Sequence, residues 1–295
     1  MGISVSTATI LHWLKSGKYI NNGDSVLELG AQQLNNDLIE SAYWLEKLAS
    51  VFKVPAFSKA FDWTVKEKTF LASGMQHLPE DAPFANEFYE HLGLKYACVD
   101  FDDSPHSIKM DLNFDSVSEN HRGKYGLVTN FGTTEHAANQ LNAFQIVHDF
   151  TAPDGVMIHI LPFQGFTSHG FVSYSMQFFW MLCRSNLYRV IDVNLSAWEK
   201  VKIQENVSSF VKSHSLIFEN KDNIDDLEFQ DMGIIIVLQK THDIDFVPPI
   251  DVLNGTQTRD PIMKRRYWTV FNQGLLNQFL TRGKEWLKEK LDSRS

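Results

Sequence analysis

Short apolar segments alternate along this chain with amphipathic ones, and this alternation restricts the fold more than any other feature. The apolar segments are typical of buried β-strands, and the segments between them repeat apolar residues at helical spacing. Strands that alternate with helices of this length favour an α/β fold, with a mostly parallel sheet covered by helices on both faces. The predicted strands are residues 25–30, 95–99, 126–130, 156–161, 188–193 and 233–239.

Polar residues at the ends of the amphipathic segments predict where the helices begin. One helix is expected to start at Asn36 or Asp37 and to continue along apolar positions to Leu48. Another is expected to start at residue 133 or 134 and to run to about Phe150, with Glu135 in its first turn, where the helix dipole favours an acid. Further helices are predicted over 85–92 and 176–185.

Two parts of the chain do not follow the alternation. Residues 51–82 form an insertion that is rich in aromatic residues, and they either pack as ordinary core or cover an acceptor site as a lid. Residues 241–262 resemble a linker, and residues 267–291 are predicted to form one or two amphipathic helices that dock on the main domain. We therefore expect one domain over 1–240 and a linker with a C-terminal helical extension over 241–295.

Charge and cysteine content exclude several classes of protein. The 295-residue chain has 27 Lys and Arg and 36 Asp and Glu, so its net charge is −9 and nucleic acid is a poor partner. Cys98 and Cys183 are far apart and form no CxxC motif, which fits a reducing compartment. No signal peptide or membrane span is recognisable, and we expect a soluble, cytoplasmic protein without a membrane partner.

Acids and amides follow several of the predicted strands directly. In open α/β sheets, ligands bind outside the carboxyl ends of the strands, where the strand order reverses. Carboxylates suit ribose hydroxyls, and amide and backbone groups suit the edge of an adenine, so these turns are typical of a nucleoside site. The turns are 28–35, 100–103, 111–113, 130–136 and 162–170.

The sequences VLELGAQQLN, MDLN and VTNFGTTEH, in this order and followed by a PDG turn, resemble the class I S-adenosylmethionine-dependent methyltransferases over residues 23–240. The resemblance implies a Rossmann-like, mostly parallel seven-stranded sheet, with a helical insertion and a C-terminal helical extension. It also implies S-adenosylmethionine as cofactor. The GTTEH and HGF segments are similar to those of a subgroup of uncharacterised bacterial methyltransferases.

The resemblance assigns cofactor-binding roles by position. Glu28 and Gly30 match the first motif, although Ala31, Gln32 and Gln33 stand where the family has further glycines. Asp100 would accept hydrogen bonds from the ribose hydroxyls. The other implied cofactor residues are Phe101 beside the adenine, Asp111 and Leu112 at its edge, and Asn130, Phe131 and Gly132 facing the reactive methyl group.

Methyl transfer to a protonated oxygen or nitrogen needs a general base, which is most often His or a carboxylate. Glu135, His136 and His169 are the catalytic candidates at the expected end of the sheet. Each has a structural alternative: Glu135 as a first-turn acid, His136 as an ordinary polar residue and His169 as a turn residue. Glu28 has one too, as a buried structural carboxylate. No metal ligand is assigned.

We therefore expect a methyltransferase (EC 2.1.1) that acts on an oxygen or nitrogen of a small-molecule or sugar-type acceptor. The alternative is a catalytically idle Rossmann-like protein that binds a nucleoside ligand or a partner, which the altered glycine loop favours. A nucleic-acid methyltransferase that uses the basic C-terminal residues, such as Lys264, Arg265 and Arg266, is a third hypothesis.

Overall fold

The computed structural model describes residues 2–60, 69–70, 76–77, 83–166, 169–202, 228–253 and 255–272. Within them, the strands are β1 Ser25–Leu29, β2 Thr69–Phe70, β3 Gln76–His77, β4 Lys95–Asp100, β5 Ser107–Lys109, β6 Tyr125–Phe131, β7 Thr151–Gln164, β8 Arg189–Lys202 and β9 Glu228–Gln239. The α-helices described before β8 are α1 Val5–Ser16, α2 Asn36–Ile39, α3 Ala42–Phe52, α4 Phe57–Ala60, α5 Ala85–His91, α6 Gln140–Phe150 and α7 Met176–Asn186.

Seven strands form one sheet in the order β5-β4-β1-β6-β7-β9-β8. The strands from β5 to β7 are parallel, and β9 is antiparallel to both of its neighbours. The chain begins at the centre with β1, moves outward to β4 and β5, and returns to β6 on the other side of β1. The strand order therefore reverses between β1 and β6, which is where ligands bind in sheets of this kind.

Helices cover both faces of the sheet, since successive side chains of a strand point to opposite faces. One buried cluster joins α1, α3 and α5 to the face that carries Val26. The other joins α6 and α7 to the face that carries Leu27. These observations confirm the predicted α/β, Rossmann-like, mostly parallel seven-stranded fold.

Two predicted helices are interrupted, and in each case a side-chain cap explains the break. The first helix divides into α2 and α3, because the hydroxyl of Ser41 accepts a hydrogen bond from the backbone N–H of Trp44 and starts a new helix. The helix expected from residue 133 or 134 begins only at Gln140, where the Asn139 side chain caps it. Residues 134–136 form a separate 3₁₀ turn, so the prediction that Glu135 lies in the first turn of a long helix is wrong.

The segments outside the regular alternation are described only in part. Most of the 51–82 insertion and everything beyond residue 272 lie outside the described residues. Two short helices, Pro261–Arg266 and Trp268–Phe271, precede that point. The second contacts α7, where the Thr269 hydroxyl donates a 2.6 Å hydrogen bond to the Ser185 carbonyl. Among the described helices, none is both long and apolar enough to cross a membrane.

Candidate functional site

The loop after β1 lies directly against the turn after β6. The hydroxyl of Thr133 donates a 2.6 Å hydrogen bond to the Leu29 carbonyl at the end of β1. Gly30 has φ +74°, and a Cβ atom there would lie only 2.7 Å from the Thr133 hydroxyl. Both the backbone conformation and the space therefore require glycine. This contact fixes the two loops at the point where the strand order reverses.

Ala31 and Gln32, at positions where the resembled family has glycines, make different contacts in this loop. The Gln32 side chain is buried, and its amide nitrogen lies 3.5 Å from the Thr133 hydroxyl and 3.4 Å from the Gly30 carbonyl. The backbone N–H of Ala31 donates a 2.9 Å hydrogen bond to the Asp100 carboxylate. The loop is thus tied to the ends of both neighbouring strands.

Glu28 is a buried carboxylic acid beneath this loop. Its Oε2 accepts hydrogen bonds from the Tyr96 hydroxyl at 2.9 Å and from the backbone N–H of Gln32 at 3.2 Å. Burial raises the pKa of Glu28 to about 8, although both of these hydrogen bonds act in the opposite direction. At neutral pH the side chain is therefore mainly protonated, which suits a residue that holds the loop from inside the protein.

Asp100 lies at the end of β4 and is only partly buried, as a ligand-binding carboxylate must be. One of its oxygens accepts from the backbone N–H of Ala31, and the other accepts from that of Phe101 at 2.8 Å. The second oxygen also accepts a longer, 3.4 Å hydrogen bond from the backbone N–H of Asp102. A carboxylate has about four acceptor positions, so one remains for a ligand hydroxyl group. The geometry is compatible with the predicted ribose contact.

The residues that the resemblance assigns to the adenine follow β4 and β5 at the same edge of the sheet. Phe101 is 79% exposed, and its ring is free to cover a planar ligand. Asp111 accepts a 2.8 Å hydrogen bond from the backbone N–H of Asn113 and so stabilises the MDLN turn. Leu112 packs partly against the core between the sheet and α6. Phe114, which the sequence reasoning missed, is 86% exposed after the same turn.

The fourth-motif residues lie deeper than the resemblance implies. The Asn130 side chain is fully buried, and its amide nitrogen lies 2.8 Å from the Thr134 hydroxyl and 3.2 Å from Nδ1 of His159. Phe131 is also buried. Gly132 has φ +74° and donates its N–H to the Ile160 carbonyl. These residues shape the turn from beneath, so any contact with a cofactor methyl group would involve their backbone.

The three catalytic candidates form one cluster. Nε2 of His169 lies 3.5 Å from Oε1 of Glu135, and Nε2 of His136 lies 4.0 Å from the same oxygen. The two imidazole rings are 4.7 Å apart and nearly perpendicular. Glu135 is fully buried, whereas His136 is 51% and His169 is 27% exposed. Burial lowers the pKa of His136, and the Glu135 carboxylate acts in the opposite direction.

The segment that carries His169 is fixed against Glu135 by its backbone. The N–H of Phe171 donates a 2.7 Å hydrogen bond to the Glu135 carbonyl. Gly170 has φ +70°, and a Cβ atom there would lie 2.8 Å from Cγ of Glu135. The HGF segment therefore requires glycine so that it can approach Glu135 closely. The Phe171–Glu135 hydrogen bond and the close approach of Gly170 thus hold the GTTEH and HGF segments together.

A hydrogen-bond network that sequence reasoning missed positions the cluster from below. The Thr134 hydroxyl accepts a hydrogen bond from the Asn130 amide and lies 3.0 Å from the Tyr174 hydroxyl oxygen, whose single hydrogen is donated to Gln140. The Gln140 side chain donates a 2.6 Å hydrogen bond to the Thr134 carbonyl and accepts one of 2.6 Å from Tyr174. The one signal in the sequence is the group of polar residues at 129–134, in and directly after an apolar strand, which need hydrogen-bond partners if they are buried.

A cavity of about 300 Å³ lies behind this network, between α6, α7 and the segment after β9. Its lining contains no ionisable side chain, so the cavity offers no acid or base; the titratable cluster lies at the edge of the sheet. The lining residues are Gln140, Leu141, Phe144, Phe178, Phe246, Pro248 and Pro249.

No protein-family model matches the sequence, and no curated protein matches it. Solved structures are similar in fold. A protein from Bacillus halodurans assigned as a methyltransferase has a TM-score of 0.41 and 10% identity, covering 54% of this chain and 87% of its own. A SAM-dependent methyltransferase from Archaeoglobus fulgidus has a TM-score of 0.37 and 12% identity, covering 79% and 93%.

A third structure is 1,6-didemethyltoxoflavin-N1-methyltransferase of Burkholderia thailandensis, with its substrate and S-adenosylhomocysteine bound. It has a TM-score of 0.38 and 11% identity, covering 80% of this chain and 76% of its own. The second and third of these proteins are named as methyltransferases, and the first is assigned as one. The likenesses are weak in both sequence identity and TM-score, and they concern the fold alone.

The raised pKa of Glu28 predicts a pH-dependent stability. Between the ordinary value of 4.5 and about 8, the folded state holds a proton that the unfolded state releases, so stability falls as pH rises through this window. One such proton corresponds to at most about 1.4 kcal/mol per pH unit. Urea unfolding between pH 5 and 8 should show this decline in the wild type and a smaller one in Glu28→Gln. Glu40→Gln, at an exposed position, should behave as the wild type; equal slopes in all three proteins would contradict the assignment.

Gly170→Ala should disturb the contact with Glu135. A left-handed backbone costs a non-glycine residue about 1–2 kcal/mol, and the added Cβ atom also clashes with Cγ of Glu135. Gly23→Ala is a matched control, because Gly23 has φ +87° and a Cβ atom there meets no described atom within 4 Å. Denaturant unfolding should show a loss for Gly170→Ala that exceeds the control by about 1–3 kcal/mol. Equal losses of stability in the two variants would show that the Glu135 side chain moves aside without destabilising the protein, and would contradict the expected clash.

Proposed function

We propose that this chain is a class I S-adenosylmethionine-dependent methyltransferase (EC 2.1.1) that methylates an oxygen or nitrogen of a small-molecule or sugar-type acceptor in the cytoplasm. One observation carries the proposal: the cluster of Glu135, His136 and His169 begins two residues after Thr133, which contacts the glycine loop after β1. A proton-accepting group thus lies beside the loop at which the family holds the methionine part of its cofactor.

The proposed binding mode uses the strand ends in order. Asp100 accepts from the ribose hydroxyls, and Phe101 covers the adenine, with Asp111 and Leu112 at its edge. Glu28 and Gly30 hold the loop against the methionine part, while Asn130, Phe131 and Gly132 shape the floor near the methyl group. The net charge of −9 favours a cationic sulfonium over a polyanionic substrate.

The chemical step is an in-line displacement. The acceptor atom forms a bond to the methyl carbon while the carbon–sulfur bond breaks, and the sulfonium becomes the neutral thioether of S-adenosylhomocysteine. The proton that the acceptor loses passes to an imidazole of the cluster, where Glu135 stabilises the resulting positive charge. Alignment of the two reactants can supply several kcal/mol of the rate enhancement, and a positioned base supplies about 10²–10⁴-fold.

The alternative is an idle nucleoside-binding protein, because Ala31, Gln32 and Gln33 replace glycines in the loop. Thermal unfolding with S-adenosylhomocysteine tests both proposals at once, since a ligand at 100 times its dissociation constant stabilises a protein by about 2.7 kcal/mol. The absence of stabilisation by either S-adenosylmethionine or S-adenosylhomocysteine would refute the methyltransferase. Stabilisation without S-adenosylhomocysteine release across a panel of hydroxyl and amine acceptors would favour the idle protein.

Asp100→Asn should weaken S-adenosylhomocysteine binding by about 10- to 100-fold, since hydrogen bonds to a charged group contribute about 1.5–3 kcal/mol. Asparagine is the better substitution, because alanine would also leave the Ala31 N–H without its acceptor. Asp102→Asn, at an exposed position in the same turn, is the matched control and should bind as the wild type. Isothermal titration calorimetry measures both constants, and an unchanged constant for Asp100→Asn would remove the ribose assignment.

His169→Ala and Glu135→Gln should lower the turnover rate by at least 10²-fold while changing the affinity for S-adenosylhomocysteine less than about threefold. The physical reason is that both residues face the acceptor side of the site and act in the chemical step. The rate of S-adenosylhomocysteine release, measured with the best acceptor of the panel, gives the first quantity, and calorimetry gives the second. A loss of cofactor affinity instead would make these residues part of the cofactor site.

A further inference from the structure

The cluster at the end of β6 contains more unpaired polar atoms than a buried site normally tolerates. The Glu135 side chain is fully buried, and neither of its carboxylate oxygens has a hydrogen-bond partner among the described residues. Nε2 of His169 likewise has none within that part of the chain. A buried carboxylate without partners costs several kcal/mol, so such groups in proteins are normally paired or bind a metal ion.

Pairing within the cluster does not satisfy these atoms. Both histidines approach the same oxygen, Oε1 of Glu135, at 3.5 and 4.0 Å, and the second oxygen remains without a partner. Two imidazolium rings 4.7 Å apart would also repel each other. A single cation between the three side chains, by contrast, would accept electron pairs from both imidazoles and from the carboxylate simultaneously.

We propose that Glu135, His136 and His169 bind one divalent first-row transition-metal ion, of the Zn²⁺ or Fe²⁺ type, in a two-histidine, one-carboxylate site with open coordination positions. The three ligand atoms already lie within 4.8 Å of one another. Ligand atoms at about 2.1 Å from a metal and at 90–110° are about 3.0–3.5 Å apart. The half-exposed His136, whose Nε2 lies 4.0 Å from Oε1 of Glu135, is the ligand that moves inward to close the site.

The surroundings favour this movement over a collapse of the cluster. The Thr134 network and the bond from the Phe171 N–H hold the backbone of Glu135 in place. Gly170 keeps the His169 segment against it. A donor set of two nitrogens and one oxygen selects transition ions over Mg²⁺ and Ca²⁺, which prefer oxygen ligands. This assignment departs from the sequence expectation, which named no metal ligand.

The ion would give the proposed methyltransferase a specific substrate class, and this role rests on the proposed function. An acceptor that carries a hydroxyl group, or two adjacent oxygens, would occupy the open positions. The cation would lower the pKa of the bound hydroxyl, so that its proton leaves to water and the resulting oxyanion attacks the methyl carbon. The oxygen–hydrogen and sulfur–carbon bonds break as the oxygen–carbon bond forms. In the metal-loaded protein the imidazoles are ligands, and water takes the proton that an imidazole accepts in the metal-free protein.

The test is metal binding by the full chain, prepared without a histidine tag, treated with a chelator and dialysed. Titration with Zn²⁺ by calorimetry, and with Co²⁺ by visible absorption, should show one ion per chain and the ligand-field bands of a low-symmetry nitrogen-containing site. Mg²⁺ should not bind at the same concentrations. Glu135→Gln, His136→Ala and His169→Ala should each weaken Zn²⁺ binding by at least about 10- to 100-fold.

Glu90 and His106 provide the matched control, because they form an exposed ion pair of the same residue types with a 3.2 Å separation. Glu90→Gln and His106→Ala should bind Zn²⁺ as the wild type, and circular dichroism of the metal-free variants should show that all of them fold. Absence of stoichiometric binding, tighter binding of Mg²⁺ than of Zn²⁺, or binding that survives all three cluster substitutions would overturn the inference.

S-adenosylhomocysteine binding, measured on the same chelated protein, separates this inference from the proposed function. Cofactor binding without metal binding would remove the metal site alone. Metal binding without cofactor binding would leave the site in place and remove the methyltransferase.

Discussion

The hydrogen bonds of Thr134 are the interaction on which the rest of the site depends. Its hydroxyl accepts from Asn130 and contacts the Tyr174 hydroxyl oxygen, its N–H donates to the Asn130 carboxamide, and its carbonyl accepts from Gln140. One fully buried residue therefore joins the end of β6, the start of α6 and the segment before α7. These bonds fix the backbone of the turn that follows, so Glu135 is held at the edge of the sheet without a side-chain hydrogen bond of its own among the described residues.

Two acids of neighbouring strands, Glu28 and Asp100, differ in how deeply the sheet buries them. Glu28 lies within β1 and points into the core, where burial raises its pKa and Tyr96 is its partner. Asp100 ends β4 at the open edge, where backbone N–H groups orient both of its oxygens and water still reaches it. A shift of one position relative to the strand end decides whether a carboxylate is buried beneath the loop or stays open to water at the edge of the sheet.

The strand and helix alternation predicted the fold well, since buried parallel strands and amphipathic helices are encoded locally. The two interrupted helices were not predictable from periodicity, because the caps at Ser41 and Asn139 act against an apolar pattern that continues through them. The sequence also did not indicate that the Asn130 side chain points into the protein. β6 is buried on both faces, so its sequence contains no alternation that distinguishes one side from the other. The juxtaposition of Glu135 with His169 depends on tertiary packing alone.

The altered glycine loop is the feature that most separates this chain from the family it resembles, and its packing indicates why one glycine is sufficient. Gly30 alone combines a left-handed backbone with a close approach to Thr133. Ala31 contributes only its N–H, which any residue except proline can supply. Gln32 turns its side chain back into the protein and binds the same hydroxyl that Gly30 contacts. The Gln32 side chain therefore adds contacts at the junction between the two loops.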